Sequence, residues 1–367
     1  MGIFTNFLKP DSDKLDAAIS PYTFPDSPMA IWANGFNSGQ TFVTRQEAMS
    51  VPAVSRARGI ICGSIGSIRL ETRRALDGSK IESASIIRNP DPRMPRSVVY
   101  AWTAEDILFN GVAYWQVMSL DETTGRPASA QWISAKRIIQ DLDVTGTIVL
   151  GYQLDNEKLP ASGVGSLIQF TGMDEGALNR GGRTIRTAVE LEKAVYRFAQ
   201  EPTPAVVLKS TLPLPKERVT ALLDAWRQAR QTRGTAFLND SIDMTSVGFN
   251  SAELQLTEAR QYLASEIARL MGIPEWYLGA NAGGSMTYSN VTSERRALLD
   301  FSLRPIISSI EDRLSMDDVT VRGQYVSFDL DDFLRGNPLE RAEIYSKLIP
   351  LGVMTVDEVR RDEEMVD

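Results

Sequence analysis

Two helical patterns separated by a compact insertion constrain the fold of this chain more than any other feature of its sequence. The first covers Thr184–Gln200, where apolar residues recur near the helical period and Pro202 and Pro204 end the pattern. The second covers Ser251–Met271, and its apolar residues stand three and four positions apart: Leu256, Ala259, Leu263, Ile267 and Leu270. At about 1.5 Å per residue each helix is roughly 25–30 Å long. Taken alone, the patterns predict two core helices of an α+β domain.

The insertion between these helices has a pattern of its own. At about 50 residues it is marginal as an independent unit, so we expect its neighbours to stabilise it. A helix is predicted at Pro215–Gln231, with an inward face made of Val219, Leu222, Leu223 and Trp226. Strands are predicted around it, at Ala205–Lys209, Thr235–Asn239 and Asp243–Phe249.

The residues before the first long helix predict an α+β unit with a small antiparallel sheet. Helical spacing runs over Gln46–Ile68, where three glycines thin one face for close packing: Gly59, Gly63 and Gly66. A second helix covers Arg96–Asn110 and ends at Gly111. Strands are predicted at Glu71–Leu76, Val112–Leu120, Gln131–Ser134, Ile138–Leu142, Thr147–Leu154 and Leu167–Phe170. This order is not that of a βαβ nucleotide-binding fold.

Beyond Gly272 the chain returns to loops and helices. Gly279–Ser285 is too rich in glycine and polar residues for a core element, so we predict a mobile loop. A long helix follows at Asn290–Ser315, and Pro305 should kink it. The remaining residues predict a strand and two helices, at Val319–Leu330, Pro338–Ile349 and Val356–Glu364.

The N-terminal residues and the cysteine content indicate a cytoplasmic origin. Residues 1–45 are rich in proline, with few periodic stretches, which predicts an extended arm. No apolar run approaches the roughly 20 residues of a membrane span, and the N-terminus lacks the layout of a signal peptide. Cys62 is the only cysteine and lies on an apolar helical stripe, as a small buried hydrophobe would. We expect no membrane association.

The absence of histidine excludes several kinds of active site. The chain has no residue for a Ser-His-Asp or Cys-His system, or for a His-ligated zinc site. Its formal net charge is −8, the opposite of a protein that grips phosphates with a basic surface. Any contact with nucleic acid is therefore expected to be local or weak.

Two clusters are the best candidates for chemistry, and each has a simpler interpretation. Asp329, Asp331 and Asp332, with Asp317 and Asp318 nearby, form a possible site for a hard cation or a solvated turn and helix cap. Arg180–Arg183, with two glycines between the arginines, forms either an anion cradle before a helix or a plain turn. We predict no catalytic residue, no resident metal and no cofactor.

Several segments, in order over about 300 residues, together resemble the HK97-type portal proteins of tailed bacteriophages. Two departures are visible, since Val112 stands where the family often has Asn and Gln169 where it often has His. The matching segments are Val51–Arg73, Arg88–Pro95, Asn110–Val117, Phe198–Leu208, Leu222–Trp226, Leu263–Gly279, Tyr288–Leu314 and Leu351–Arg360.

The resemblance implies an α+β protomer with named parts. Residues 1–45 would be an N-terminal arm, and residues 46–182 with 290–330 an α+β wing. Residues 183–200 and 251–272 would be two stem helices lining the central channel of a ring. Residues 201–250 would form a small α/β clip, residues 279–289 a tunnel loop that projects towards DNA, and residues 331–367 a short helical crown.

The function implied is that of a non-enzymatic ring of about twelve subunits at one capsid vertex, the conduit for packaging and ejection of double-stranded DNA. Implied partners are the large terminase, a head–tail adaptor, and the major capsid and scaffolding proteins. The protein would reside in the virion, and in the host cytoplasm during assembly. The implied DNA-facing residues of the loop are uncharged: Ala280, Asn281, Gly283, Gly284, Ser285, Met286 and Thr287.

The clip helix region offers positive charge in an otherwise acidic chain, and we predict that it contacts an acidic surface of the terminase or adaptor. The residues are Lys216, Arg218, Arg227, Arg230 and Arg233. A solvated helix face is the alternative. Two other functions stay open from the sequence: a metal-dependent nuclease centred on Asp329, Asp331 and Asp332, and a non-portal ring or adaptor of a phage tail.

Overall fold

The computed structural model describes residues 43–143, 149–200, 206–210, 213–231, 242–246, 256–279, 295–330, 333 and 338–363. It confirms a mixed α and β architecture, and all the described strand pairs are antiparallel. Contacts divide the chain into two units: Met1–Thr187 with Leu263–Asp367, and Ala188–Tyr262. None of the described helices has the length and apolar character needed to cross a membrane.

The first unit opens with two helices, α1 (Arg45–Met49) and α2 (Pro52–Ser67), instead of the single helix predicted over Gln46–Ile68. A capping box starts α1: the Thr44 hydroxyl accepts from the Glu47 amide, and the Glu47 carboxylate accepts from the Thr44 amide. Proline has no N–H to donate and is favoured in the first turn, so α2 begins afresh at residue 52.

Helix α2 packs closely against α4 (Arg96–Asn110). The chain segment that connects these two helices contains β1 (Leu70–Arg74), β2 (Lys80–Ile81) and α3 (Ser85–Arg88). A Cβ at Gly66 would lie 2.5 Å from the Ser97 carbonyl oxygen, so this glycine is required for the close approach. At Gly59 and Gly63 a Cβ would meet nothing within 4 Å. Close packing is therefore confirmed at one of the three predicted glycines.

An aromatic chain joins α4 to a sheet of order β4-β3-β8, formed by β3 (Val112–Leu120), β4 (Pro127–Ile133) and β8 (Leu167–Thr171). The fully buried Trp115 ring lies 4.7 Å from Phe170 and 5.5 Å from Tyr100, between ring centroids. Strand β4 is longer than the predicted Gln131–Ser134, because irregular pairing with β3 continues back to Pro127.

A second sheet, β5-β6-β7, packs on the first through a small cluster around Tyr114, Ile133 and Ile138. Its strands are β5 (Ile138–Leu142), β6 (Val149–Leu154) and β7 (Glu157–Lys158). The buried Gln169 joins the two sheets, since its Oε1 accepts from the Tyr152 hydroxyl at 2.6 Å. Glutamine thus meets the hydrogen-bonding needs of this position.

The first part of the first unit also contains α5 (Ala177–Arg180). Its second part, which begins at Leu263, contains a short turn of helix at Glu275–Leu278, a π-helix at Leu298–Leu303, α9 (Arg304–Leu314) and β11 (Gln324–Phe328). The π-helix lies just before Pro305, where the sequence predicts a kink. Its wider hydrogen bonding can accommodate the missing N–H of a proline. Strand β11 pairs with β1 and is shorter than the predicted Val319–Leu330, because turns occupy the residues before it.

The second unit contains a two-stranded ribbon and a helix. Strands β9 (Val206–Ser210) and β10 (Ile242–Ser246) pair from Ile242 opposite Ser210. The strand predicted at Thr235–Asn239 lies outside the described residues. Helix α7 (Lys216–Gln231) lies between the strands in sequence, and α6 (Gly182–Gln200) and α8 (Leu256–Met271) cross the boundary between the units.

The described chain ends with α10 (Pro338–Leu348) and α11 (Val356–Asp362), close to the two helices predicted there. Glu363 links them, because its carboxylate accepts from the Arg341 guanidinium at 2.8 and 2.9 Å and from the Tyr345 hydroxyl at 2.9 Å. Ile344, Leu351, Val353 and Val356 remain exposed around this hairpin.

Candidate functional surfaces

Helix α7 carries three exposed basic residues of the predicted partner-binding set, together with two exposed acidic residues, Glu217 and Asp224. Lys216, Arg218 and Arg227 are exposed, and Arg227 forms a surface ion pair with Asp224 at 3.2 Å. Arg230 lies in the same helix, and Arg233 lies outside the described residues. The structure therefore exposes three of the predicted side chains on one helix, with Lys216 and Arg227 on the same side of it and Arg218 on the opposite side.

The apolar face predicted for α7 is only partly buried. Leu222 and Trp226 are half-buried, whereas Val219 is 38% exposed and Leu223 is 40% exposed. The prediction that all four face inward is wrong for these two. No described element packs extensively against α7, so part of the stripe faces solvent.

The predicted tunnel-loop residues 280–287 lie outside the described residues, but the chain that leads into them is well defined. Gly272 and Gly279 both adopt left-handed backbone, with φ of +64° and +71°. The helical turn between them is held by Glu275, whose carboxylate accepts from Ser265 at 3.0 Å and from Arg269 at 3.2 Å. The rings of Trp276 and Tyr277 stack, with centroids 3.6 Å apart.

The chain beyond that loop is anchored at the same place. The Ser302 hydroxyl in the π-helix donates to the Gly272 carbonyl. Both the helical turn and the π-helix contact α2, and the Arg56 side chain approaches the Tyr277 carbonyl at 3.5 Å. The described elements on either side of residues 280–294 therefore both contact α2.

The acidic residues proposed for a cation are engaged by basic side chains where the structure describes them. Asp317 lies 3.0 Å from Arg322, Asp318 lies 2.7 Å from Arg313, and Asp329 lies 3.9 Å from Lys80. Asp331 and Asp332 lie outside the described residues. Within the described ranges, no group of three or more acidic or cysteine residues is arranged to hold a metal ion.

The Arg180–Arg183 segment serves as a packed turn. Arg180 pairs with Asp174 and donates to the Leu270 carbonyl at 2.9 Å, so its guanidinium is engaged at the end of α8. A Cβ at Gly181 would lie 2.1 Å from the Leu270 side chain. This geometry favours the plain turn over an anion cradle.

A pair of buried carboxyls in α4 was not predicted from the sequence. Burial alone would raise the pKa of Glu105, but the guanidinium groups of Arg45 and Arg58 pair with it and lower that pKa below its usual value. Burial raises the pKa of the adjacent Asp106 to about 7, although this carboxylate accepts from the Ala135 amide. Consecutive acids in an amphipathic helix give no signal that both are buried.

Sequence comparisons show which proteins this chain is similar to. A sequence model of the phage portal protein family matches residues 52–364. A probable portal protein of Streptomyces phage phiC31 is 26% identical over 355 residues, which cover 89% of this chain and 77% of that protein. The portal protein of Enterobacteria phage HK97 is 24% identical over 131 residues, or 35% of this chain and 31% of that protein.

Solved structures share the fold. An HK97 family phage portal protein from Corynebacterium diphtheriae superposes with a TM-score of 0.64 at 24% identity, covering 82% of this chain and 99% of that one. A chain of the native gene transfer agent virion gives 0.58 at 17% identity, covering 90% and 96%. A chain of that native particle's neck, computed with C12 symmetry, gives 0.55 with the same identity and coverage.

Proposed function

This chain belongs to the phage portal protein family, and on that premise we propose that it forms a twelve-subunit ring at one capsid vertex, the conduit through which double-stranded DNA is packaged and ejected. The family match over residues 52–364 carries this proposal. The number twelve is supported by the similar chain in a particle neck computed with C12 symmetry. A closed ring needs two different, complementary surfaces on each subunit.

In this proposal the parts of the protomer have the roles expected of a portal. Residues 183–200, which hold all of α6 but its first residue, and residues 251–272, which include α8, are the stem helices. Residues 201–250 are the clip. Residues 46–182 with 290–330 are the wing, residues 331–367 the crown, and residues 1–45 an N-terminal arm. The crown would then be built on the α10–α11 hairpin held by Glu363.

The net charge of the chain suits a conduit that DNA slides through. A ring of twelve copies would carry twelve times the formal charge of −8. A mostly acidic wall repels phosphates and disfavours tight, salt-sensitive binding over most of the channel. The tunnel loop, residues 279–289, would then contact DNA mainly through uncharged groups. No catalytic step, metal or cofactor is part of this role.

The clip would dock the large terminase during packaging and the head–tail adaptor afterwards. The support is the exposure of three basic side chains on α7, Lys216, Arg218 and Arg227, in a chain with a negative net charge. Charge complementarity favours an acidic partner surface. The major capsid and scaffolding proteins would contact the ring during assembly in the host cytoplasm, and the assembled ring would remain in the virion.

Native mass spectrometry with negative-stain imaging tests the central proposal. We expect closed rings of about twelve subunits with a central hole. A protein that stays monomeric even when capsid and scaffolding proteins are added would contradict the proposal. Rings with a different subunit count and a channel too narrow for a DNA duplex would instead indicate a tail or adaptor ring.

Two sets of variants test the proposed surfaces. Charge reversal at Lys216, Arg218 and Arg227 should weaken pull-down of terminase and adaptor, and unchanged capture of both would contradict the clip assignment. Replacing Gly283 and Gly284 with bulky residues should impair packaging or DNA retention while rings still assemble. Normal packaging by that variant would contradict the tunnel-loop assignment.

A further inference from the structure

The helix that follows residues 280–294 has an exposed face rich in arginine. Arg295 and Arg296 lie just before the π-helix Leu298–Leu303, and Arg304 lies just after it. The Arg296 side chain is 77% exposed and that of Arg304 is 48% exposed. The buried side of the same stretch is formed by Leu298, Leu299, Ser302 and Leu303. The arginines therefore all lie on the face that points away from the core.

Two carboxylates act on these arginines from the same helical stretch: Asp300, and the half-buried Glu311, which interacts electrostatically with Arg304. Asp300 lies 3.8 Å from Arg296 and 3.9 Å from Arg304, so a single negative charge is shared between two guanidinium groups at long range. Across the part of the chain that the structure describes, no ion pair involves Arg295. This face therefore carries a net positive charge.

A fourth arginine reaches the same region from another element. Arg56 is exposed on α2, and its side chain approaches the Tyr277 carbonyl in the helical turn before residue 279. That turn and the π-helix both contact α2. Arg56, Arg295, Arg296 and Arg304, which we call the loop-base arginines, thus flank both ends of the segment 280–294.

Some exposed arginines elsewhere, such as Arg69 and Arg218, also form no ion pair among the described residues, but three others are each paired with a carboxylate. Arg322 pairs with Asp317 at 3.0 Å, Arg88 with Glu82 at 3.4 Å, and Arg137 pairs with Asp155. Each has a carboxylate of its own. The loop-base arginines are therefore a local excess of positive charge in a chain whose formal charge is −8.

We propose that the loop-base arginines contact the phosphate backbone of double-stranded DNA as it passes the tunnel loop. This inference rests on the proposed portal function, because that function places residues 279–289 beside DNA. Exposed guanidinium groups without a carboxylate of their own bind phosphate oxygens strongly and release condensed counterions. Confined to one level of an acidic channel, they would guide the duplex without holding it along its length.

Direct binding of a short blunt DNA duplex to the wild-type ring tests the proposal, measured by fluorescence anisotropy at several NaCl concentrations. The test variant carries Arg295→Gln, Arg296→Gln and Arg304→Gln. The matched control carries Arg88→Gln, Arg137→Gln and Arg322→Gln, which remove the same charge from other exposed positions. We expect the test variant to bind roughly tenfold more weakly and with a shallower salt dependence, and the control to change affinity less than about twofold.

A third variant has the opposite expected sign. Asp300→Asn removes the carboxylate shared by Arg296 and Arg304 and should strengthen DNA binding about twofold to threefold. Equal losses in the test and control variants, or weaker binding by Asp300→Asn, would overturn the proposal in favour of a general charge effect.

The design separates this inference from the portal proposal. If the wild type forms no rings, the ring proposal fails, and the same titration on monomers still decides whether the loop-base arginines bind DNA selectively. If the test variant alone fails to form rings, the face is a subunit interface and the DNA-contact proposal is wrong. The exposed Phe301 on the same face, at 78%, would then be expected at that interface.

Discussion

The backbone amide of Phe328 donates a hydrogen bond to Oε1 of Glu311 at 2.6 Å. Phe328 lies in β11, at the edge of the β11-β1-β2 sheet, and Glu311 lies in α9, which packs along that edge. Two residues earlier in the strand, the Val326 amide donates to the Ser315 hydroxyl at 2.9 Å. Side chains of α9 and of the residue that follows it thus satisfy outward N–H groups of an edge strand that could otherwise pair with another chain.

Glu311→Ala should destabilise the first unit by about 1–3 kcal/mol, because it leaves the Phe328 amide without its partner. We expect the variant also to aggregate more readily during unfolding. Urea unfolding followed by tryptophan fluorescence measures the first effect, and light scattering measures the second. Asp312→Ala, at an exposed position on the same helix, is the control and should change stability by less than about 0.5 kcal/mol.

Sequence periodicity predicts Arg96–Asn110 and Val112–Leu120 with the bounds that the structure shows, because Gly111 separates two strongly patterned segments. It gives the wrong length for β11, because turns occupy the residues before the strand, and it gives no sign that Glu311 and Ser315 bind the strand's outward edge. Sequence periodicity also gives no sign that the loop-base arginines lie in one region. Arg56 precedes Arg295 by more than two hundred residues in the sequence, and only the fold brings their elements to one place.

The pH dependence of stability should come largely from Asp106, because the chain has no histidine. Burial raises the pKa of Asp106 to about 7 from an ordinary 3.8. The folded state therefore holds this proton more tightly than the unfolded state. Asp106 makes its full contribution to the free energy of unfolding below about pH 4, and that contribution declines as the pH rises to 7. At about 1.4 kcal/mol per pKa unit the total change is at most about 4 kcal/mol.

Asp106→Asn should remove most of the decline in unfolding free energy between pH 5 and pH 8, measured by urea titrations at each pH. Glu311→Gln is the comparison variant. Burial also raises the pKa of Glu311, so this variant should remove a smaller part of the same decline in unfolding free energy. An unchanged pH profile in Asp106→Asn would contradict the assignment. Glu105 should not contribute in this range, since its pKa lies below the usual value.

Glu105→Gln should cost about 2–4 kcal/mol of stability, because it leaves the partly buried Arg58 and the Arg45 guanidinium without a counter-charge. Since Arg45 starts the first described helix, we also expect faster proteolysis near residue 43. Asp224→Asn breaks the exposed pair with Arg227 and should change stability by less than about 0.5 kcal/mol. Equal effects of the two changes would show that burial does not strengthen the first pair.

Alanine substitution should raise stability at two of the three glycines of α2 and lower it at the third. A Cβ at Gly59 or Gly63 meets nothing within 4 Å, so Gly59→Ala and Gly63→Ala should each stabilise the isolated protomer by up to about 1 kcal/mol. At Gly66 the added Cβ would lie 2.5 Å from the Ser97 carbonyl oxygen, so Gly66→Ala should destabilise it. Thermal unfolding of monomeric protein measures all three.

Assembly of the proposed ring by the same variants adds information that stability alone does not give. Glycine inside a helix is destabilising relative to alanine, so exposed glycines at 59 and 63 have a cost that no contact within the described chain explains. If Gly59→Ala and Gly63→Ala protomers are more stable yet assemble rings less well, a neighbouring subunit approaches this face closely. If assembly is unchanged, the face stays open to solvent in the ring, and both alanines are simple stabilising substitutions.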